Sequence, residues 1–199
     1  MTLRDDSMTR WGERLGAVAT RLGTDFPGES PERQPVHTVY GGAHLFSANT
    51  AERLGELSLA ALDRWAPAPE DLASILDLPE SLAGPVHGLV AEKLRREPVE
   101  DFRIDFEDGY GHRPDDEEDG HARSAATELA DGMTAGTLPP FTGIRVKSLS
   151  GELHRRALRT LDLFVTTAVE KGGHLPPGFT VSLPKIQDVE QVLGESPDR

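Results

Sequence analysis

The chain has 199 residues, 37% of them hydrophobic, and carries 21 Lys and Arg against 34 Asp and Glu, a formal net charge of −13. That length and apolar content suffice for one sizeable core, while so acidic a surface is repelled by phosphate backbones and anionic lipid, which argues against nucleic-acid and membrane partners. Without cysteine there is neither a disulfide framework nor a thiolate metal site; no apolar run approaches the roughly 18 residues of a membrane span, and the N-terminal MTLRDDSMTRWGERLG lacks signal-peptide character, so a soluble cytoplasmic protein is expected.

Trp11, Leu15, Val18 and Leu22 recur at helical spacing, which predicts an amphipathic helix over 8–22 ahead of a Pro/Gly/Glu loop. Residues 1–35 are therefore expected to form an N-terminal helix and loop, and 36–199 the main body. Val36–Tyr40 reads as the first strand, ended by Gly41 and Gly42. A helix capped by Asn49 or Thr50 then runs to about Trp65, with Leu54, Leu57, Ala61 and Leu62 inward. Shorter helices are predicted over 71–78 and 85–96. Core is the default reading for both tryptophans, Trp11 and Trp65.

The most informative stretch is Asp101–Gly111, DFRIDFEDGYG. With period two, Phe102, Ile104 and Phe106 share one face, and Arg103, Asp105 and Glu107 the other, so charge stands where a buried strand is normally apolar. Gly109 and Gly111 break the strand, and Pro114 followed by the acids 115–119 opens a helix that continues through Ala122, Ala125, Ala126, Leu129 and Met133. Residues 142–149 form the next strand. Glu152–Lys171 is a strongly periodic helix stopped by Gly172 and Gly173; 179–184 is a fourth strand, and 186–193 begins one more helix. Strands alternating with helices, on crossovers long enough for parallel pairing, predict α/β architecture.

Asp105 and Glu107 on the second strand, Arg145 and Lys147 on the third, and Lys185 just past the fourth would converge at one end of such a sheet. Asp108 turns inward if Gly109 ends the strand. A paired set of buried charges can bind an anion, hold a metal through water, or form an ion-pair layer with no catalytic part. The acids 115–119 read as a solvated helix start that complements the macrodipole; a calcium loop is excluded, because the twelfth position from Asp115 is Ala126. Tyr110 reads as loop packing. Of the seven histidines, His44 and His112 follow glycines after the first two strands and are the two site candidates.

Asp105-Phe-Glu-Asp108, Gly143-Ile-Arg-Val-Lys147 and Leu183-Pro-Lys185, in that order, resemble the HpcH/HpaI aldolase and citrate lyase β-subunit family. The closer resemblance is to its branch with an extended DFEDGYGxR motif and YGGAHLF upstream, labelled phosphoenolpyruvate-binding or phosphoenolpyruvate kinase-like. The similarity covers about residues 36–190. It implies a parallel (β/α)8 TIM-type barrel, of which this chain would supply the first four β/α units plus N-terminal helices. It further implies Mg2+-dependent carbon–carbon lyase or aldolase chemistry on a small 2-oxo acid or an acyl-CoA-like carboxylate. On that pattern Arg145, Lys185 and Glu107 would be catalytic, and Arg145, Lys147 and His44 would contact substrate. Asp105, Glu107 and Asp108 would support metal-bound water without ligating the ion directly.

Two departures qualify the expectation. The family's first strand carries an Arg-Ser pair, where this chain reads Val39-Tyr-Gly-Gly-Ala-His44. Its direct metal carboxylates lie beyond the Leu-Pro-Lys motif, and this chain ends 199 − 185 = 14 residues past Lys185. The expectation is therefore an N-terminal half-barrel, inactive alone, that self-associates as a homo-oligomer or lacks its C-terminal half. The alternatives are a phosphoryl-transfer enzyme of the phosphoenolpyruvate/pyruvate type and a non-catalytic half-barrel that needs a partner chain.

Overall fold

A computed structural model describes residues 5–29 and 31–193 of the chain. The chain divides into two compact units, Met1–Gln34 and Pro35–Arg199. In the first, helix α1 spans Asp5–Asp25. Trp11, Leu15, Val18 and Leu22 share a face, as their spacing requires, but all four are exposed. This corrects the core assignment of Trp11: among the described residues, its own unit contains no second helix or strand to cover the stripe.

The second unit runs β1 (Thr38–Gly42), a 3-10 turn at Ala43–Leu45, α2 (Thr50–Trp65), α3 (Pro69–Leu76) and α4 (Glu80–Arg96). It continues with β2 (Asp101–Asp105), α5 (Asp115–Ala135), β3 (Phe141–Arg145), α6 (His154–Gly172), β4 (Thr180–Ser182) and α7 (Glu190–Leu193). The four strands form one parallel sheet in the order β1-β2-β3-β4, so every strand lies beside its successor in the chain. Asp105 sits opposite Gly42 on one side and Arg145 on the other.

The period-two reading of β2 holds. Phe102, Ile104 and Phe106, with Ile144 and Val146, join a core built with Ala122, Ala125, Ala126 and Leu129 of α5 and Ala157, Phe164 and Ala168 of α6. Small residues on α5 bring that helix close to the sheet, and Phe106, Ile104, Ile144 and Phe164 are fully buried. Each such side chain contributes on the order of 2 kcal/mol by leaving water. α6 ends at Gly173 and α5 at Gly136, both left-handed, as stop signals of that kind require.

Several boundaries move. β1 includes Gly41 and Gly42 instead of stopping before them, because their backbone groups pair with β2 and the ring of Phe102 occupies the space a side chain at 41 would need. α4 begins at Glu80 and carries Pro85 within its second turn. α2 buries Ala51 and Gly55, with Gly55 against Pro98, and this line continues to the buried Ala66. Leu57 and Trp65 are therefore exposed, which corrects the core assignment of Trp65; the Arg64 guanidinium covers its ring at 4.9 Å. Among the described residues, no helix is long and apolar enough to cross a membrane.

Candidate functional site

The motif DFEDGYG forms a loop that wraps its own first carboxylate. Asp105 is wholly buried at the end of β2, and its Oδ1 and Oδ2 accept hydrogen bonds from the backbone N–H of Glu107 and of Gly109, both at 2.8 Å. Gly109 is required here, because a Cβ at that position would stand 2.7 Å from Asp105 Oδ2. The same two oxygens accept from Arg145, Nε to Oδ1 at 2.8 Å and Nη2 to Oδ2 at 2.6 Å. Burial alone would raise the Asp105 pKa. The planar guanidinium and the two N–H donors outweigh it and hold the carboxyl below its ordinary value of 3.8.

Arg145 is held in turn. The Asp105 hydrogen bonds raise its pKa, and the Tyr40 ring lies 4.5 Å from its guanidinium carbon. Its remaining nitrogen, Nη1, faces Glu107 Oε2 at 3.4 Å and Asp108 Oδ2 at 3.7 Å. Lys185 Nζ closes the group from the β4 side, 2.6 Å from Glu107 Oε1 and 3.4 Å from Asp108 Oδ1, and these two acids raise its pKa. Lys185 reaches them through a left-handed backbone at φ 56°, an unusual conformation for a side-chain-bearing residue. Glu107 is buried while Asp108 and Lys185 are largely exposed, so the cluster opens to solvent on one side.

The expected residues Asp105, Glu107, Asp108, Arg145 and Lys185 therefore meet at the C-terminal ends of β2, β3 and β4. Lys147 does not join them. Although it alternates in step with Arg145, the strand ends at Arg145, and Lys147 crosses the end of β2. There Nζ donates to the carbonyls of Phe106 at 2.7 Å and Gly111 at 3.1 Å and pairs with Glu118 at 2.8 Å.

Glu118 is wholly buried, accepts from Thr160 Oγ1 at 2.6 Å, and faces Arg156 Nε at 3.5 Å. Asp119 is bound by Arg156 and Arg159. The acids 115–119 are thus not uniformly a solvated helix start. The first three are exposed, whereas Glu118 and Asp119 join α5 to Lys147, just past β3, and to α6. The change falls between the adjacent Glu117 and Glu118, which a run of like residues cannot reveal.

Sequence reasoning also missed an aromatic and imidazole cluster beside the loop. Tyr110 is buried, and its hydroxyl meets His121 Nδ1 at 2.8 Å. His44 lies 5.6 Å edge-on to Tyr110 and 6.1 Å from His121. Arg113 and Lys147 lie over the Tyr110 ring at 4.6 and 4.9 Å. Burial pushes the Tyr110 phenol up to about 12. His112, kept as a candidate beside His44, is exposed; His121, one turn into α5, takes the inward position instead. A signal existed, since His121 precedes Ala122 and Ala125 on the helix stripe that faces the sheet.

Among the described residues, no group of three or more His, Asp or Glu side chains is arranged to hold a metal ion. Both Asp105 oxygens are occupied, and Glu107 Oε1 is taken by Lys185. Glu107 Oε2 is a buried acceptor with no hydrogen bond, 3.4 Å from Arg145 Nη1. These residues suit support of water around a cation better than direct ligation of it.

No curated protein and no solved structure matches the chain. One family model does, over residues 15–196, described as a domain of unknown function (DUF6986). The match takes in the C-terminal half of α1 and the whole charged cluster, and the chain belongs to the DUF6986 family.

Proposed function

We propose that this chain binds a small carboxylate substrate at the Asp105–Arg145 cluster and serves a Mg2+-dependent carbon–carbon lyase or aldolase reaction on a 2-oxo acid or an acyl-CoA-like carboxylate. One observation carries the reading: a guanidinium fixed by its carboxylate partner, with Nη1 facing two acids at 3.4 and 3.7 Å, longer than good hydrogen bonds. A donor so oriented, with weak partners on one nitrogen, can exchange them for a substrate carboxylate at little cost in side-chain entropy.

In this reading Asp105 positions Arg145, and Arg145 Nη1 binds the substrate carboxylate or the oxygen on which enolate charge develops. Lys185 balances Glu107 and Asp108, so that an anion can approach the pair. Glu107 and Asp108 accept hydrogen bonds from water around the cation. Mg2+, when bound, supplies Lewis-acid stabilisation of enolate charge. The sequential parallel order of the four strands is also the order of the first half of a (β/α)8 barrel, whose sites lie at the C-terminal strand ends; the barrel is part of this proposal.

A phosphoryl-transfer enzyme is the weaker reading, because Lys147, the second cation it would place on phosphate, is spent on Glu118 and two carbonyls. Calorimetric titration of oxaloacetate or pyruvate with Mg2+ tests the choice. The expected result is Mg2+-dependent binding that Arg145→Lys weakens at least about tenfold, since lysine keeps the charge and loses the fork. Binding of inorganic phosphate with none of oxaloacetate or pyruvate would reverse the order of the two readings.

A further inference from the structure

Helix α1 carries an apolar stripe of one particular period. Met8, Trp11, Leu15, Val18 and Leu22 follow one another at steps of 3, 4, 3 and 4 residues. That is the strict heptad spacing of a two-helix seam, narrower than the stripe with which a surface helix covers a globular core. All five side chains are exposed, and the 21 residues of the helix make three heptads. Phe26 extends the face by one more step, because its N–H still donates to the Leu22 carbonyl at 2.8 Å. Met8, Trp11 and Leu15 are 56%, 51% and 62% exposed. At about half exposure each, the five side chains hold on the order of 500 Å² of apolar surface, so two such faces together offer roughly 1,000 Å², the size at which a specific interface begins.

The two flanks of the stripe differ. On one side Gly12, Gly16, Ala19 and Gly23 recur at steps of 4, 3 and 4. Glycine is the least favourable helix residue after proline, and a Cβ added at Gly12, Gly16 or Gly23 would meet nothing within 4 Å, so no described contact requires any of the three. Small residues along a seam let a second helix approach closely. On the other side stand Arg14 and Arg21, one position before Leu15 and Leu22, and the Arg14 guanidinium lies 5.5 Å from the centre of the Trp11 ring. Arg10, Arg14 and Arg21 nearly balance Asp5, Asp6, Glu13 and Asp25, a net charge of 3 − 4 = −1 on the helix in a chain of −13. Two copies can therefore meet at α1 without the repulsion that the rest of the surface would impose.

We propose that α1 is a self-association helix, and that its apolar stripe is covered by α1 of a second copy in a parallel two-stranded coiled coil. The flanks select the direction. In a parallel pair the arginine flank of one copy runs along the small-residue flank of the other, with Arg14 beside Ala19 and Arg21 beside the Phe26 ring, a cation over an aromatic face. An antiparallel pair would instead set Arg14 against Arg21 of the other copy, like charge on like charge. The seam is isologous, so it closes at two chains.

The test is sedimentation equilibrium on the full chain between about 1 and 200 µM, because a dimer of this kind is concentration-dependent. Wild type is expected to rise from the mass of one chain, 21.6 kDa, to twice that value. Leu15→Glu, which sets two carboxylates against each other at the centre of the seam, should keep the mass of one chain over the whole range. Met8→Cys, in a sequence with no other cysteine, should form a covalent dimer on mild oxidation. A parallel seam puts the two side chains at position 8 in one layer, whereas an antiparallel one would hold them about 20 Å apart. A wild-type mass of one chain throughout, or of three or more, would overturn the proposal, as would a dimer that persists in Leu15→Glu. A dimer without the Met8→Cys cross-link would overturn the parallel pairing. The wild-type masses and the cross-link decide the matter even if Leu15→Glu folds poorly, and none of these readouts depends on the carboxylate site.

Discussion

The Asp105 carboxylate receives four hydrogen bonds, two from the Arg145 guanidinium and two from the backbone N–H groups of Glu107 and Gly109. Strand β2, strand β3 and the loop between β2 and α5 are therefore joined at one buried side chain. Asp105→Asn removes the charge that two of these donors compensate. It is expected to cost about 3 kcal/mol of stability at pH 7, measured by urea unfolding.

The pH dependence of that cost has a definite sign. The folded-state pKa of Asp105 lies below the ordinary 3.8, so its contribution is complete above that ordinary value and is lost as pH falls through the lower folded value. The stability gap between wild type and Asp105→Asn should stay constant from neutral pH to about 5 and narrow below 4. A gap that widened on acidification would show that the carboxyl is protonated in the folded chain at neutral pH.

Glu118 and Asp116, two positions apart in one acid run, should behave oppositely. Glu118→Gln leaves Lys147 buried without its anion and is expected to cost about 3–5 kcal/mol. Asp116→Asn, on the exposed side, should stay within about 0.5 kcal/mol of wild type. Thermal unfolding of the two variants decides the matter; similar melting temperatures would mean that Glu118 is not part of the core.

Glycines at close backbone approaches should be irreplaceable, unlike those in open helix. Gly42→Ala drives a methyl into the Gly109 carbonyl, and Gly109→Ala places one against Asp105, so each is expected to cost about 1–3 kcal/mol. Gly84→Ala, in α4 with nothing within 4 Å of the added carbon, should instead stabilise by about 0.5–1 kcal/mol. Denaturant midpoints of the three variants provide the comparison.

Lys185 is exposed and its ion pairs face water, so Lys185→Met should leave the melting temperature unchanged. Its loss leaves Glu107 and Asp108 with less cationic balance at the mouth of the cluster, so oxaloacetate binding is expected to weaken roughly tenfold and to become more salt-dependent. A large drop in melting temperature with unchanged binding would make Lys185 a structural residue.

Period-two alternation in Phe102–Glu107 and the 3.6 period of α5 and α6 were legible because each residue's neighbours in the chain impose them. The parallel strand order followed from the long helical crossovers, and the meeting of Asp105, Glu107, Arg145 and Lys185 followed from strand parity together with that order. Exposure was not legible on the same terms. Trp11, Trp65 and Leu57 fit apolar stripes, yet a stripe is buried only when another element covers it.

What the sequence determined by itself was local: the elements, the faces of the strands, the glycine stops, and which charged residues stood at strand ends. What only the tertiary structure decided was pairing. Lys147 went to Glu118 and away from Arg145, because β3 ends before it and a buried carboxylate on α5 lies within reach. His121 and not the candidate His112 meets Tyr110, because α5 turns His121 inward while His112 lies exposed in the loop before that helix. Charge and hydrogen-bond partners are chosen by distance in three dimensions, and residues tens of positions apart meet only when the core between sheet and helices has set that distance.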